Sequence, residues 1–306
     1  MSELIELKLV TEGEAECLHR LQVEAFMPLY EKYQADDTSP AKESLERVTE
    51  KIMEVSILMI TDAFDQTEVL FGPKDFYGEQ KHLCEKCIIV FSEVIFEYML
   101  ETYAHEEAGV IRCCNGITIV YIFEIDGMKI AGYLGHIGSA LAGSDVIDVN
   151  WLTGTNKFIM FGSAGSLDSN VTNGKFVIPT ASYREEGLSY HYAAPADYIE
   201  IKNAKIVKAI FDELNLPSVT GKVWTTDAIY RETKAKLEAR KNEGCLAVEM
   251  ELAGVQAVCD FYGWDLYDFL VTGDVLDQAV YDVSGLANAN HNMDKLYIAI
   301  EIAKRI

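Results

Sequence analysis

The alternation of apolar and polar positions changes character near residue 56. Ahead of it, a short strand-like run from about Leu4 to Val10 leads through Thr11-Glu12-Gly13-Glu14 into a helical pattern reaching about Tyr33. A polar break, "QADDTSPAKES", follows. A second helical pattern then runs from about Pro40 to Glu54, with Leu45, Val48 and Ile52 on one face. From Ser56 onward short apolar runs alternate with amphipathic stretches. "SILMI" reads as a central strand, and residues 92–104 as a helix capped by Ser92. "ITIVYIFEIDGMKIAGYLG" reads as two strands joined by an Asp126-Gly127 hairpin turn. A helix over 139–152, the strands "KFIMFGS" and "GKFVIPTAS", and a helix near 204–215 come next. The strand "SVTGKVWTT", a helix near 232–243, "CLAVEM" with its helix, "DLYDFLVTG" and a helix over about 292–305 complete the chain. This pattern predicts an α/β fold with a mixed, largely parallel central sheet flanked by helices over 56–306, and a small α/β appendage over 1–55.

Composition narrows the function. The 306 residues are 49% hydrophobic and 25% charged, ordinary for a globular chain with a sizeable core. The net charge of −23 repels nucleic-acid phosphate and anionic membranes, so neither is an expected partner. It admits an anionic substrate only where the site is locally basic or rich in backbone N–H groups. No run of about 18 apolar residues suggests a membrane span. The opening "MSELIELKLVTEGE" lacks an apolar signal core, and the seven cysteines are an odd number. A cytoplasmic protein with reduced thiols is the expectation. His82, Cys84 and Cys87 in "KHLCEKC", with Cys113-Cys114, contain a Cys-x-x-Cys, but the adjacent pair is poor spacing for a second ligand pair. Structural thiols are expected there and no metal.

Ligands of open α/β sheets bind at the carboxyl ends of strands. Four predicted ends carry unusual chemistry: "LGHIGS" (134–139), "FGSAGSLD" (161–168), "VEME" (248–251) and "VTGDVLD" (271–277). The glycine-rich ends can turn backbone N–H groups onto an anion, or can simply be turns. Glu249 and Glu251 suit either a helix start, where acidic groups meet the positive dipole end, or a binding site. Asp274 suits either a turn or an acid.

Two family resemblances rest on these stretches. "LHRLQVEAFMPLYEKYQADDTSP" resembles the opening strand–helix–loop–helix of GNAT-type acetyltransferases over residues 1–55. The pyrophosphate loop of that family is missing, so acetyl transfer is not implied. The order and spacing of "GSAG", "TTDAIY" (225–230), "AVEMELAGV" and Gly273-Asp274 resemble the purine and uridine phosphorylase superfamily over roughly 56–306. "ASYREEGLSYHYA" (181–193) looks like its uridine phosphorylase branch.

The second resemblance implies a nucleoside phosphorylase that yields free base and ribose 1-phosphate, with phosphate as co-substrate and no metal or organic cofactor. It implies a ribose site at Glu249, Met250 and Glu251, with Glu251 accepting from both ribose hydroxyls. Asp274 would be the acid at N7 of a leaving purine. It also implies closed homo-oligomers and, as the rival chemistry, hydrolysis by a nucleosidase or binding without turnover.

Departures accompany it. Met160 stands where phosphorylases carry an arginine, and no second phosphate arginine is found in "ITDAFDQTEV". The family's G-x-G reads His136-Ile137-Gly138. Substitutes for the phosphate contacts are His136, Arg112, Ser163 and the backbone at Gly138 and Gly162. For a water-using enzyme, Asp62, Asp65 or Glu68 would replace the family's early glutamate. Ile229 stands at the base-stacking position with Tyr230 beside it. Thr233 and Ala235 replace the uracil-reading glutamine and arginine, which tilts the reading toward purine.

Overall fold

The structure is a computed structural model that describes residues 15–33, 39–42, 44–48, 63–114, 116–278 and 281–306. It divides into two units, Met1–Phe64 and Asp65–Ile306. In the first, the helix Ala15–Tyr33 coincides with the predicted helical stretch that reaches about Tyr33, and Pro40–Lys42 forms a 3-10 turn. Ala15 and Val48 are buried with Leu18 and Leu45 packed on them. The opening strand, the helical pattern beyond Val48 and the run at Ser56–Ile60 lie outside the described residues.

The second unit is built on ten strands: β1 Lys86–Val90, β2 Ala104–Cys113, β3 Gly116–Ile125, β4 Met128–Leu134, β5 Lys157–Ser166, β6 Phe176–Glu185, β7 Tyr198–Glu200, β8 Ser218–Thr226, β9 Cys245–Glu249 and β10 Asp265–Val275. The core strands β1, β4, β5 and β10 are parallel, and β2–β3–β4 form an antiparallel extension. The β3–β4 hairpin turns through Asp126 (φ 50°) and Gly127 (φ 78°), the left-handed pair that an Asp-Gly turn needs to match strand twist. Strands β5, β10, β6, β8 and β9 pair successively and return to β5, closing a small barrel.

β1 is buried from Cys87 to Val90 and sits beside β5. The helix Leu252–Tyr262 buries Leu252, Val255, Val258 and Cys259, the positions its helical spacing marks. Ser92 caps the helix Glu93–Thr102 by accepting from the Ile95 N–H at 3.3 Å. No described helix is long and apolar enough to cross a membrane.

One feature of the pairing positions the site. β1 leaves β5 after Val90↔Phe161, and β9 joins the same edge only at Gly165↔Val248. On that edge Gly162, Ser163 and Ala164 carry no ladder partner among the described residues. Their backbone groups and side chains face a gap between diverging strands.

Candidate active site

A cavity of 680 Å³ opens at this gap. Its wall takes Phe91, Ser92 and Glu93 from the end of β1, and Gly162 to Gly165 from β5. Val248 to Glu251 come from the end of β9, Asp274 and Leu276 from the end of β10, and Ile229, Tyr230, Glu232, Thr233 and Lys234 from the segment beyond β8. The segment 286–295 closes the remaining side. It can approach β10 because residue 273 is glycine. A Cβ there would lie 2.8 Å from Ala289 Cβ and 3.0 Å from Leu286 Cα.

The two glutamates of β9 have different geometries. Glu249 is buried and accepts from the backbone N–H groups of Glu251 and Leu252, each at 2.7 Å, and from the Thr225 hydroxyl. It thereby satisfies donors at the start of the helix Leu252–Tyr262. Glu251 is half-buried and accepts from the Gly138 N–H at 2.6 Å, which leaves carboxylate capacity facing the cavity. Burial raises both carboxyls, Glu249 further through the charge of Glu251. Asp268, fully buried on β10, is raised well above the ordinary range by burial first and then by these two glutamates.

Asp274 accepts from the Tyr281 hydroxyl at 3.0 Å. Nearby, Glu232 is pushed up to about 7, by burial first and then by Asp274 and Glu185. The cavity wall therefore carries Glu232, Glu249, Glu251 and Asp274. A second group of wall residues, with Glu93 beside Ser92, carries hydroxyls, an imidazole, an amide and an ammonium. Ser92 Oγ lies 2.9 Å from His291 Nδ1, Ser163 Oγ donates to Asn290 Oδ1, and Lys295 Nζ donates to the Asn290 carbonyl at 3.2 Å.

Among the residues singled out from sequence, the cavity wall brings together Gly162, Ser163, Ile229, Tyr230, Glu249, Met250, Glu251 and Asp274. Gly138 contributes through its N–H to Glu251. His136 and Arg112 are placed elsewhere. The His136 ring lies 2.9 Å from Asp145 and its N–H donates to the same carboxylate at 3.1 Å. Arg112 is exposed on β2, opposite Ile117. Asp65 and Glu68 are exposed and outside the wall, and Asp62 lies outside the described residues.

The search for a phosphate arginine in "ITDAFDQTEV" also needs correcting. The first described strand is Lys86–Val90, and the turn after it, Phe91-Ser92-Glu93, has no arginine either. Arg184, in the "ASYREEGLSYHYA" stretch, is committed to its own loop through Ser189 and the carbonyls of Ala193 and Ala194. Sequence reasoning missed Glu93, Glu232, Asn290, His291 and Lys295, and read Ser92 only as a cap. Among the described residues, no group of three or more His, Cys, Asp or Glu is arranged to hold a metal ion. Cys87 is buried in β1, and Cys84 lies 3.4 Å from the Thr155 hydroxyl.

The family model of the phosphorylase superfamily matches residues 85–306, from the start of β1 to the last helix. The chain belongs to the phosphorylase superfamily. The mimivirus protein R802 (Acanthamoeba polyphaga mimivirus) is 32% identical over 124 residues, 40% of this chain and 48% of its own length. A DeoD-type purine nucleoside phosphorylase of Caldanaerobacter subterraneus is 28% identical over 158 residues, 49% of this chain and 66% of its own length. The match therefore spans about half to two thirds of these relatives. The native futalosine hydrolase of Helicobacter pylori strain 26695 superposes with a TM-score of 0.60 at 15% identity, over 73% of this chain and 99% of its own. That likeness shows a shared fold. In this chain the β5 gap and the β9 strand end both line the cavity.

Proposed function

We propose that this chain is a nucleoside phosphorylase that cleaves the N-glycosidic bond of a purine nucleoside with phosphate, giving free base and ribose 1-phosphate. The observation that carries this reading is the cavity itself: its wall holds the carboxylates Glu249, Glu251 and Asp274 together with the hydroxyls of Ser92 and Ser163 and the ammonium of Lys295. Bond cleavage through an oxocarbenium-like sugar needs both. Glu251 accepts from the two ribose hydroxyls, since an ionised carboxylate can take both donors of a vicinal diol. Met250 packs against the sugar, and Ile229 with Tyr230 flanks the base. Glu249 keeps the loop in place through its helix-start bonds.

As the C1′–N bond breaks, a phosphate oxygen bonds to C1′ and the bonding pair leaves with the base. Asp274 donates a proton to, or hydrogen-bonds, N7, so that the base does not depart as a bare anion. The DeoD-type relatives favour a purine substrate.

Hydrolysis is the second reading. Glu93 in the wall and the lack of an arginine among the described wall residues favour it. Release of free base from a nucleoside panel, with and without phosphate, separates the two. Phosphate-dependent release supports phosphorolysis, and equal release without phosphate supports hydrolysis.

A further inference from the structure

Lys295 is an unusual residue in so acidic a chain. It sits at the start of the helix Asp294–Ala303, is only 2% exposed, and lines the cavity. Its ammonium donates to the Asn290 carbonyl and lies 5.8 Å from the Phe161 ring centroid. No carboxylate forms an ion pair with it among the described residues. Burial alone lowers it to about 8. A buried cation without a counter-ion is costly, and three N–H donors with one protein acceptor leave two directions open.

The surroundings supply further groups. Ser92 and Ser163 each lie two residues beyond the last paired position of β1 and β5, Val90↔Phe161, Ser92 just past the end of β1 and Ser163 in the stretch of β5 that β1 leaves unpaired. Each is held by one of two consecutive residues: Ser163 by Asn290 and Ser92 by His291. Asn290 is also the residue whose carbonyl holds Lys295. Hydroxyls, imidazole and ammonium are thus linked through Asn290 and His291 in the wall of the same cavity as Asp274.

We infer that Lys295 is the cation of an oxyanion subsite completed by Ser92, Ser163 and His291, and that its occupant is inorganic phosphate. The inference rests on the phosphorolytic reading, and it assigns to the last helix the charge that Met160 and the Phe91-Ser92-Glu93 turn do not provide. An oxyanion here neutralises the ammonium and accepts its free N–H groups. Phosphate takes this site because a tetrahedral oxyanion can accept from several convergent donors at once.

The test uses the full chain and Lys295→Met and Lys295→Arg variants. Methionine keeps the buried stem and removes the unpaired charge, so folding is expected to survive. The first readout is thermal stabilisation by inorganic phosphate alone, at roughly 10 mM. We expect it in the parent, a loss in Lys295→Met and a partial return in Lys295→Arg. The second is steady-state kinetics. The KM for phosphate should rise about tenfold or more in Lys295→Met, the scale of one charge-assisted hydrogen bond, with the KM for nucleoside within about twofold. Parent-like phosphate stabilisation in Lys295→Met, or none in the parent, overturns the assignment. Stabilisation by adenosine monophosphate but not by inorganic phosphate also overturns it, in favour of a nucleotide phosphate. The binding readout needs no turnover. If phosphate stabilises the parent and not Lys295→Met while no nucleoside is cleaved, the subsite stands and the phosphorolytic reading fails. If phosphorolysis occurs with an unchanged phosphate KM in Lys295→Met, the reverse holds.

Discussion

The two groups of residues in the cavity wall are built differently. The acidic group takes Glu249, Met250 and Glu251 from one strand end, with Asp274 from the end of β10 and Glu232 from the segment beyond β8. The second group is assembled from the turn after β1, the unpaired stretch of β5 and residues 290–295. The first group places its charges by local geometry. Glu249 fixes the helix start, and that bonding leaves Glu251 facing the ligand space. The second depends on long-range packing: the segment 286–295 reaches β5 only because Gly273 lets it lie against β10. The proposed ribose site is thus written into a few contiguous residues, whereas the proposed anion site is a property of the folded chain.

The largest break in this contrast is expected from Asp274→Asn. General acid catalysis contributes about 10²–10⁴-fold, and only where the leaving group needs a proton. The kcat/KM for inosine and adenosine should fall by that order, while a p-nitrophenyl riboside, whose leaving group departs unaided, should be nearly unaffected. Equal losses on all three substrates would make Asp274 a shaping residue and not the acid.

Next in size is Glu251→Ala. Losing charge-assisted bonds to two ribose hydroxyls should cost about 2–4 kcal/mol in kcat/KM. Glu251→Gln, which retains an acceptor for the Gly138 N–H, separates positioning from ribose binding. Near-parent activity in the alanine variant would remove Glu251 from the ribose site.

Glu249→Gln sharpens the difference between the two glutamates. An amide cannot accept from two backbone N–H groups and a hydroxyl as a carboxylate does. Urea denaturation should show a loss of about 1–2 kcal/mol, with nucleoside KM changed less than in Glu251→Ala. A larger effect on KM than on stability would reverse the assigned roles.

The smallest effect concerns Glu232. Its carboxyl ionises near 4.5 when unfolded and is raised to about 7 in the fold. Between these values the native state retains a proton that the unfolded state has released, so its contribution to stability falls as pH rises and stays lost above 7. Glu232→Gln should therefore stabilise the protein at pH 8 and not at pH 4, by about 1 kcal/mol after allowing for partial exposure. Thermal melts at both pH values check this, and a gain of equal size at pH 4 would contradict it.

The same contrast explains what was legible in the sequence. "VEME", "GSAG" and Gly273-Asp274 stand at strand ends as contiguous strings, and the Asp126-Gly127 hairpin announces itself by residue type. β1 was not legible. A strand buried on both faces shows no alternation, so "KCIIV" offers no period to read, and its cysteine belongs to a Cys-x-x-Cys that suggests a different chemistry. Missing β1 hid the turn Phe91-Ser92-Glu93 and with it half of the proposed anion site. His136 looked available to an anion because sequence does not reveal Asp145, nearly two turns into the helix Ser139–Thr153, as the partner of its ring. Lys295 reads in sequence as one lysine of an amphipathic final helix. Its burial depends on the packing of segment 286–295 against β5 and β10.

The most direct test of the central claim is the release of free base from inosine by the purified chain, first dialysed free of phosphate and then titrated with it. The account predicts negligible release without phosphate, saturable release with it, and ribose 1-phosphate equal in amount to the base. Base release at the same rate without phosphate, with free ribose as the co-product, would contradict phosphorolysis and make the chain a nucleosidase.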